Sequence, residues 1–317
     1  MPKSHQSENK NFAIHCVDAL HHKPQLASIH IIRSQQQIAI VDTGTNYSIP
    51  QVSKLLTQLG LNYLHVDYII LTHIHLDHAG GASELMRLCK NAQLIVHPKG
   101  ARHMADPSKL VAGAKAVYGE KIFEEHYGEI KPVPSSRILQ TEDELKLNLG
   151  ERELIFIDTP GHANHHHCIV DPLSNSIFTG DTFGFSYKAL RNEHHSFVSP
   201  TTTPVQFDPI LLHESIDKIM SYQPETLYLT HYSAIKPSMR IVAGLHEQIE
   251  DFVMLTDKAA DSGDDFASTL EHEITEYMVR RCLNEIDTVN ENTAREWLSF
   301  DAKLNAQGLA FWHENRR

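Results

Sequence analysis

Short, largely apolar runs alternate with helical segments over most of the chain, and this alternation constrains the fold most strongly. Runs such as SIHIIRS (28–34), VDYIILTH (66–73) and TLYLTH (226–231) have the composition of strands, several of them covered on both faces. The segments PQVSKLLTQLG (50–60) and DPILLHESIDKIMSY (208–222) begin with Pro or Asp and carry apolar residues at helical spacing. The pattern predicts an α/β fold.

The strand pattern stops near residue 240, and only helical patterns follow. Apolar stripes at helical spacing occupy this part, with a break at DSGDD (261–265) after the first stripe. The stripes are Leu245, Ile249, Phe252 and Val253, then Phe266, Leu270, Ile274, Met278 and Leu283, and then Trp297, Phe300 and Leu304. We therefore predict a catalytic α/β domain over residues 13–240 and a C-terminal helical extension over residues 241–317 that packs on the same body.

The charge of the chain argues against a nucleic-acid partner. Lys and Arg number 28 against 40 Asp and Glu, so no excess of positive charge is available to neutralise a phosphate backbone. The apolar runs are too short to span a membrane, and the polar start MPKSHQSENKNFAIHC does not resemble a signal peptide. We therefore expect a cytoplasmic protein without a nucleic-acid or membrane partner.

The four cysteines, Cys16, Cys89, Cys168 and Cys282, are far apart in the sequence. They form no CxxC pair, which argues against a zinc ribbon and against a redox pair. We expect them to be buried thiols.

The stretch LTHIHLDHAGG (71–81) places three histidines and an aspartate within six positions, directly after an apolar run. At an extended strand end, His73 and His75 would point the same way, because side chains repeat every two residues. Asp77 and His78 would follow just past the turn and face a second point. The AGG after them suits a turn in which the backbone passes close to other atoms. One short segment therefore offers ligands to two metal ions.

Three further segments offer ligands of the same kind at the ends of predicted strands. DTPGHANHHH contains His162, FTGDT contains Asp181, and LTHYS contains His231. Imidazole and carboxylate groups suit zinc, iron or manganese, and no cysteine is needed. We expect two divalent metal ions, with zinc as the first choice and iron or manganese as alternatives.

Taken together, HxHxDH, a histidine after TPG, an aspartate in TGD and a final histidine resemble the metallo-β-lactamase superfamily, and within it the glyoxalase II-like branch. The resemblance covers about residues 13–235. It implies an αββα sandwich with a two-metal site at one edge. It also implies that one metal is held by His73, His75 and His162, that the other is held by Asp77, His78 and His231, and that Asp181 bridges them.

The resemblance also implies roles for residues around the ligands. Asp42, at the end of AIVDTG, and His166 match positions that support metal ligands through hydrogen bonds, which orient the ligands and tune their basicity. Long excursions between strands, such as residues 99–137 in this chain, often cover the active site. We expect a substrate pocket that includes Tyr118, Phe183, Tyr187 and Tyr232.

The expected activity is the hydrolysis of a small ester or thioester. A hydroxide shared by two cations about 3.5 to 4 Å apart is the expected nucleophile, because metal binding lowers the pKa of water. One metal would polarise the carbonyl oxygen of the substrate. Asp77 and Asp181 are the expected catalytic residues, and Asp77 would guide the proton to the leaving group. A GxSxG motif, which would supply a serine nucleophile, is absent from the sequence.

Several alternatives stay open at this point. The same site chemistry serves phosphodiesters and lactones. The helical extension would suit a regulatory protein partner if hydrolysis were vestigial, and a single iron would indicate an oxygenase. Beyond a small-molecule substrate, a homodimer through the C-terminal helices is a further expectation.

Overall fold

The computed structural model describes residues 12–202, 204–263 and 265–316. Within these residues the strands are β1 (Phe12–Asp18), β2 (Ser28–Ser34), β3 (Gln37–Val41), β4 (Val66–Ile70), β5 (Gln93–Val96), β6 (Ile138–Gln140), β7 (Leu145–Leu149), β8 (Arg152–Asp158), β9 (His167–Asp171), β10 (Ser176–Gly180), β11 (Thr226–Leu229) and β12 (Ser233–Ile235). The α-helices are α1 (Ile49–Gln58), α2 (Leu76–Ala79), α3 (Ala82–Leu88), α4 (Pro98–Ala105), α5 (Ser108–Tyr118), α6 (Glu120–His126), α7 (Pro209–Ser221), α8 (Met239–Asp261), α9 (Phe266–Glu285) and α10 (Glu291–Asn315).

The strands form two mixed six-stranded sheets. The first sheet has the order β1-β2-β3-β4-β5-β6, and the second has the order β12-β11-β10-β9-β8-β7. In the first sheet β1, β2 and β3 pair antiparallel, whereas β3 to β6 pair parallel. Parallel neighbours need crossover connections, and these contain α1 between β3 and β4 and α3 between β4 and β5. The predicted α/β class, with two sheets followed by C-terminal helices, is confirmed.

The chain divides into two compact units. The first unit runs to Ile155 and also includes Asp171–Leu173, and the second consists of Phe156–Val170 and the chain from Ser174 onwards. The predicted division into a catalytic domain over residues 13–240 and a helical extension over residues 241–317 stays a prediction.

The core of the first unit lies on the strands of its sheet. Ile29, Ile31, Ile38, Ile40 and Ile69 have no exposed surface, and they belong to one continuous apolar cluster. Burying an isoleucine side chain stabilises the folded state by about 1.5–3 kcal/mol relative to leaving it exposed. This core fixes the strand ends from which the histidine motif and its supporting aspartate extend.

The C-terminal helices α8, α9 and α10 pack together within the second unit. The first two predicted stripes are largely buried, with Leu245 and Phe252 on α8 and Leu270 and Met278 on α9 fully buried. Among the helices of the described residues, none combines the length and the apolar character that crossing a bilayer requires.

The third predicted stripe was wrong. Phe300 is 47% exposed, and α10 instead buries Ala294, Leu298, Ala302 and Leu309. These buried positions recur at helical spacing but include alanines, which a search for large apolar side chains overlooks. The buried face of α10 is therefore set by close helix packing rather than by its largest residues.

The expectation of buried thiols is confirmed for three of the four cysteines. Cys89, Cys168 and Cys282 are buried, and burial raises the pKa of Cys89 and of Cys282 to about 12. Cys16 is exposed, because β1 is an edge strand of the first sheet and most of its side chains are not fully covered.

Candidate metal centre

The histidine motif lies in a loop and a short helix of the first unit, and we call His73, His75, Asp77 and His78 the first ligand set. Strand β4 ends at Ile70, so the prediction of a strand through residue 73 was wrong. His75 is the residue before α2, and α2 carries Asp77 and His78. The two loop histidines nevertheless face each other, since Nε2 of His73 is 2.9 Å from Nδ1 of His75.

The AGG after the motif makes the close approach that the sequence predicts. The amide of Gly81 donates to the carbonyl oxygen of Gly44 at 2.9 Å. A Cβ atom on Gly81 would lie 2.8 Å from the carbonyl oxygen of Thr43 and 2.9 Å from that of Thr45, too close for any side chain. Glycine at this position therefore lets the motif pack directly against the loop after β3.

Asp42, at the end of β3, holds the first ligand set in place. Its carboxylate accepts hydrogen bonds from the amide and hydroxyl of Thr72 at 2.9 and 3.0 Å, and it lies 2.9 Å from Nδ1 of His78. Because a carboxylate only accepts, Nδ1 of His78 carries the proton, and Nε2 keeps its lone pair for a metal.

The same carboxylate also acts on a second histidine. The hydroxyl of Thr72 donates to Asp42, so its oxygen accepts from Nδ1 of His73 at 3.2 Å. Asp42 is only 1% exposed, and its backbone φ of 59° lies in the left-handed region, which costs a non-glycine residue of order 1 kcal/mol. One buried aspartate therefore fixes the orientation of two histidines, one directly and one through Thr72.

His162, Asp181 and His231 form the second ligand set, which lies entirely in the second unit. Nε2 of His162 is 3.6 Å from one carboxylate oxygen of Asp181, and Nε2 of His231 is 3.6 Å from the other. The aspartate therefore stands between the two histidines. Gly161 before His162 has a φ of 122°, and a Cβ atom there would lie 2.3 Å from the amide nitrogen of Leu212 on α7.

A threonine orients His162. Nδ1 of His162 lies 2.8 Å from the hydroxyl oxygen of Thr201, and that hydroxyl donates to the carbonyl oxygen of Asp181 at 3.1 Å. The hydroxyl oxygen therefore accepts from Nδ1 of His162, which leaves Nε2 with its lone pair. The segment SPTTT (199–203) gave no sequence signal for this contact.

Asn305 on α10 holds the residues on both sides of Thr201. The side chain of Asn305 on α10 accepts from the amide of Thr202 at 2.8 Å and donates to the carbonyl oxygen of Pro200 at 3.1 Å. Asn305 is 2% exposed, so these bonds are shielded from water. Sequence reasoning missed this residue, because it lies more than a hundred positions away from the segment that it holds.

His166 lies beside Asp181. The amide of Asp181 donates to Nε2 of His166 at 3.2 Å, so Nδ1 carries the proton and lies 2.9 Å from the hydroxyl of Thr159. Both ring nitrogens of His166 are thus engaged within the protein. This residue positions the backbone that carries Asp181 rather than offering a lone pair of its own.

Arg191 stabilises the turn that follows His231. Its guanidinium donates to the carbonyl oxygens of Tyr232 at 2.7 Å and Ala234 at 3.1 Å, and also to that of Ser186. Burial lowers the pKa of Arg191 to about 10, although nearby Tyr232 acts in the opposite direction. No motif in the sequence indicates this role.

The four aromatic residues expected in the substrate pocket have different surroundings. Phe183 and Tyr187 are buried, and the Tyr187 hydroxyl donates to Asp301 on α10 at 3.0 Å. Tyr232 is 4% exposed, with a lysine ammonium 4.6 Å from the centre of its ring. The side chain of Tyr118 lies outside the described part of the chain. Substrate contact by these residues stays a prediction.

Three groups of these ligand residues bring metal-binding atoms together, one atom per residue, all within 4.8 Å of one another. The groups are His73, His75 and His162, then His73, His78 and Asp181, and then Asp77, His78 and His231. Five of the seven residues are fully or almost fully covered, with exposures of 9% or less. Imidazole nitrogen and carboxylate oxygen suit zinc, iron or manganese, so the donor chemistry fits a metal centre.

The comparison with protein families agrees with this site. The sequence matches the metallo-β-lactamase superfamily over residues 23–231, which is about two thirds of the chain. The chain belongs to the metallo-β-lactamase superfamily. The matched region ends at His231, so it contains both ligand sets.

Two named relatives in this superfamily show how far the similarity extends. The metallo-β-lactamase fold-containing protein ST1585 of Sulfurisphaera tokodaii is 27% identical over 219 residues, which cover 68% of this chain and 76% of that protein. The human acyl-coenzyme A thioesterase MBLAC2 is 26% identical over 173 residues, 49% of this chain and 57% of the relative. The chain therefore spans only about half the length of the thioesterase.

The fold is shared with solved structures. The crystal structure of ST1585 from Sulfolobus tokodaii superimposes with a TM-score of 0.67 and 22% identity over 94% of this chain and 98% of that chain. A match over 94% of this chain includes the C-terminal helices as well. The family membership and the buried His/Asp groups together identify the protein as a metal-dependent hydrolase of the metallo-β-lactamase fold.

Proposed function

We propose that this protein is a dinuclear metallohydrolase that cleaves a small ester or thioester, in the manner of the glyoxalase II-like branch. The observation that carries the proposal is the composition of the three ligand groups. Two of them share no residue, and the third joins one histidine of each to Asp181. Two metals would thus be held separately, by His73, His75 and His162 and by Asp77, His78 and His231, with Asp181 shared.

Asp181 and Asp77 would have different roles at the metal centre. Bound metals would supply a water of lowered pKa and a Lewis acid for the carbonyl oxygen. The carboxylate of Asp181, with its two oxygens each 3.6 Å from a histidine nitrogen, would hold His162 and His231, one from each metal's group, in one arrangement. Asp77 is 23% exposed on its side chain, whereas His78 next to it is fully buried. Asp77 is therefore the ligand from which a proton can reach a departing alkoxide or thiolate.

The substrate class rests on the relatives. Human MBLAC2 is named an acyl-coenzyme A thioesterase, and a further relative, the glyoxylase B2 of Dictyostelium discoideum, is 30% identical over 49% of this chain and 50% of its own length. These names support a thioester or ester over a phosphodiester or a lactone. The cytoplasmic location and the homodimer expected from the sequence stay predictions.

The test is a panel of ester, thioester, lactone and phosphodiester substrates assayed with the wild-type protein and Asp181→Ala. We expect turnover of an ester or thioester by the wild-type protein and loss of that turnover to background in the variant. His194→Gln, a change at an exposed histidine outside the ligand groups, is the matched control and should keep full activity.

Other outcomes would overturn the proposal. Full activity in Asp181→Ala would remove the aspartate from the chemistry. Turnover confined to phosphodiesters or lactones would replace the substrate class. A protein that consumes oxygen with one bound iron would be an oxygenase, and an inactive protein that binds a protein partner through its helices would be a regulator.

A further inference from the structure

Two histidines on neighbouring helices of the second unit face each other, and neither belongs to a ligand set. His213 lies on α7 and His246 on α8, and their Nδ1 atoms are 2.6 Å apart. Their rings are nearly parallel, with an interplanar angle of 17° and centroids 4.9 Å apart. Because the nitrogens are so much closer than the centroids, the rings meet edge to edge. The in-plane lone pairs of the two Nδ1 atoms therefore point at each other.

The outer nitrogen of each ring contacts a carboxylate. Nε2 of His213 is 2.9 Å from Glu250, and Nε2 of His246 is 3.2 Å from Asp217. A carboxylate only accepts, so each Nε2 carries a proton and donates it. Histidines that ligate metals commonly use this arrangement, with one nitrogen donating to a carboxylate and the other left for the metal.

With a proton on each Nε2 atom, the space between the two Nδ1 atoms needs a positive charge. If both rings were neutral with the proton on Nε2, two bare lone pairs would face each other at 2.6 Å, which is repulsive. A cation must therefore lie between the two Nδ1 atoms, and a shared proton is the smallest that fits. The side chains of His213 and His246 are 23% and 27% exposed, so the position is open to exchange with ions in solvent.

We propose that His213 and His246 form a second, surface metal site for a divalent transition-metal ion of the zinc class, which binds by displacing the shared proton. Imidazole nitrogen suits zinc, nickel and copper. A tetrahedral zinc ion at about 2.0–2.1 Å from each nitrogen needs the two nitrogens roughly 3.3 Å apart, so the rings need to separate by less than about 1 Å and to tilt until both lone pairs point at the ion. The bound ion would link α7 to α8 and leave its remaining positions to water.

The experiment compares the zinc content of the full-length protein with that of His246→Gln after equilibration at micromolar free zinc. We expect the wild-type protein to hold one zinc equivalent more than the variant, and His213→Gln to show the same loss. His272→Gln, which changes an exposed histidine on α9, is the control and should hold as much zinc as the wild-type protein. Lowering the pH from about 7.5 to about 5.5 should release the extra equivalent, because protons compete for Nδ1.

A second readout follows the displaced proton. Calorimetric titration with zinc in buffers of different ionisation enthalpy should show about one proton released for the extra ion, and zinc should raise the Tm of the wild-type protein more than that of His246→Gln. Equal zinc contents in these two proteins would overturn the proposal and leave the pair with a proton only. An equal loss in His272→Gln would overturn it as well, by showing unspecific surface binding.

The outcome is independent of the proposed hydrolysis. His213 and His246 are not in the three ligand groups, so His246→Gln should hydrolyse the substrate at the wild-type rate whether or not the surface site binds zinc. A protein with the extra zinc but no hydrolase activity would contradict the proposed function alone.

Discussion

The two ligand sets reach similar chemistry by different routes. The first set comes from six consecutive positions, so one loop and α2 determine its arrangement. The second set comes from three segments that are separated along the chain by 19 and by 50 positions, since its members stand at 162, 181 and 231. Local backbone geometry can organise the first set, whereas only the folded second unit brings the second set together.

The sets also differ in how they are supported. The first rests on the buried carboxylate of Asp42, which accepts from His78 directly and from His73 through Thr72. The second rests on neutral groups, namely the hydroxyl of Thr201 and the amide of Asn305 behind it. Hydrogen bonds to a charged partner are roughly twice as strong as bonds between neutral groups. The hydrogen bonds that hold the first set are thus stronger, but they depend on the charge of Asp42. Those that hold the second set depend on the packing of α10, which is distant in the sequence.

Acid should lower the free energy of unfolding through a buried histidine that lies near Asp42, and this is the largest effect that we expect. Burial lowers the pKa of His30 on β2 to about 4 from 6.5, although nearby Asp42 acts in the opposite direction. Between these two pH values the unfolded chain binds the proton and the folded chain does not. The contribution to stability is complete above pH 6.5 and is lost as the pH falls through about 4, a change of about 3 kcal/mol.

Urea unfolding measured between pH 7 and about pH 4 tests this prediction. His30→Gln should lose less stability on acidification than the wild-type protein, whereas His272→Gln, at an exposed site, should keep the wild-type slope. Equal slopes in wild type and His30→Gln would show that His30 does not carry the effect.

Removing the charged support should impair the first set. In Asp42→Asn, the amide that replaces the carboxylate is a weaker acceptor for His78, so we expect hydrolytic activity or metal affinity to fall by about 10- to 100-fold. Metal titration and kcat/KM of the same preparation are the measurements. A variant with wild-type values in both would contradict the role of Asp42.

Removing the hydroxyl of Thr201 should lower the activity less than removing the charge of Asp42. Thr201→Val keeps the shape of the side chain but loses the hydroxyl that accepts from His162, a bond worth about 1 kcal/mol, so kcat/KM should fall by about fivefold. Thr201→Ser restores the hydroxyl and should recover most of the loss. A decrease that serine does not rescue would point to packing rather than to the hydrogen bond.

The contact from the C-terminal helices should have the smallest effect on activity. Asn305→Ala leaves the amide of Thr202 and the carbonyl of Pro200 without this side chain, which should lower the free energy of unfolding by about 1–3 kcal/mol. We expect kcat/KM to fall by less than in Thr201→Val. A larger loss of activity than in that variant would mean that α10 itself contacts the substrate.

The same contrast explains what the sequence could predict. Strand β2 was predicted at its observed bounds. Each of the seven candidate ligand residues belongs to a short motif that a single sequence is enough to reveal. Strand β4 was predicted three residues too long, because the apolar run continues into the loop that carries His73. Length and apolar composition alone do not mark where pairing with the next strand ends.

The sequence could not predict contacts between residues that are far apart along the chain. Asn305 and Arg191 are ordinary polar residues in their local segments, and only the fold brings them to Thr202 and to the turn after His231. The buried face of α10 was missed for a related reason, since alanines such as Ala302 gain their role from the neighbouring helix. Asp42 was predicted because it lies at the end of AIVDTG, a position that supports metal ligands in the family that the chain resembles.

The most direct test of the dinuclear site is the metal content per chain by elemental analysis. Protein without a histidine tag should be used, in the His246→Gln background so that the surface site is not counted, and His75→Ala and His231→Ala should each be added to it. We expect two metal equivalents in the parent protein and a loss of about one in each variant, since the two histidines belong to different ligand groups. One equivalent in the parent, or a content unchanged in both variants, would contradict it.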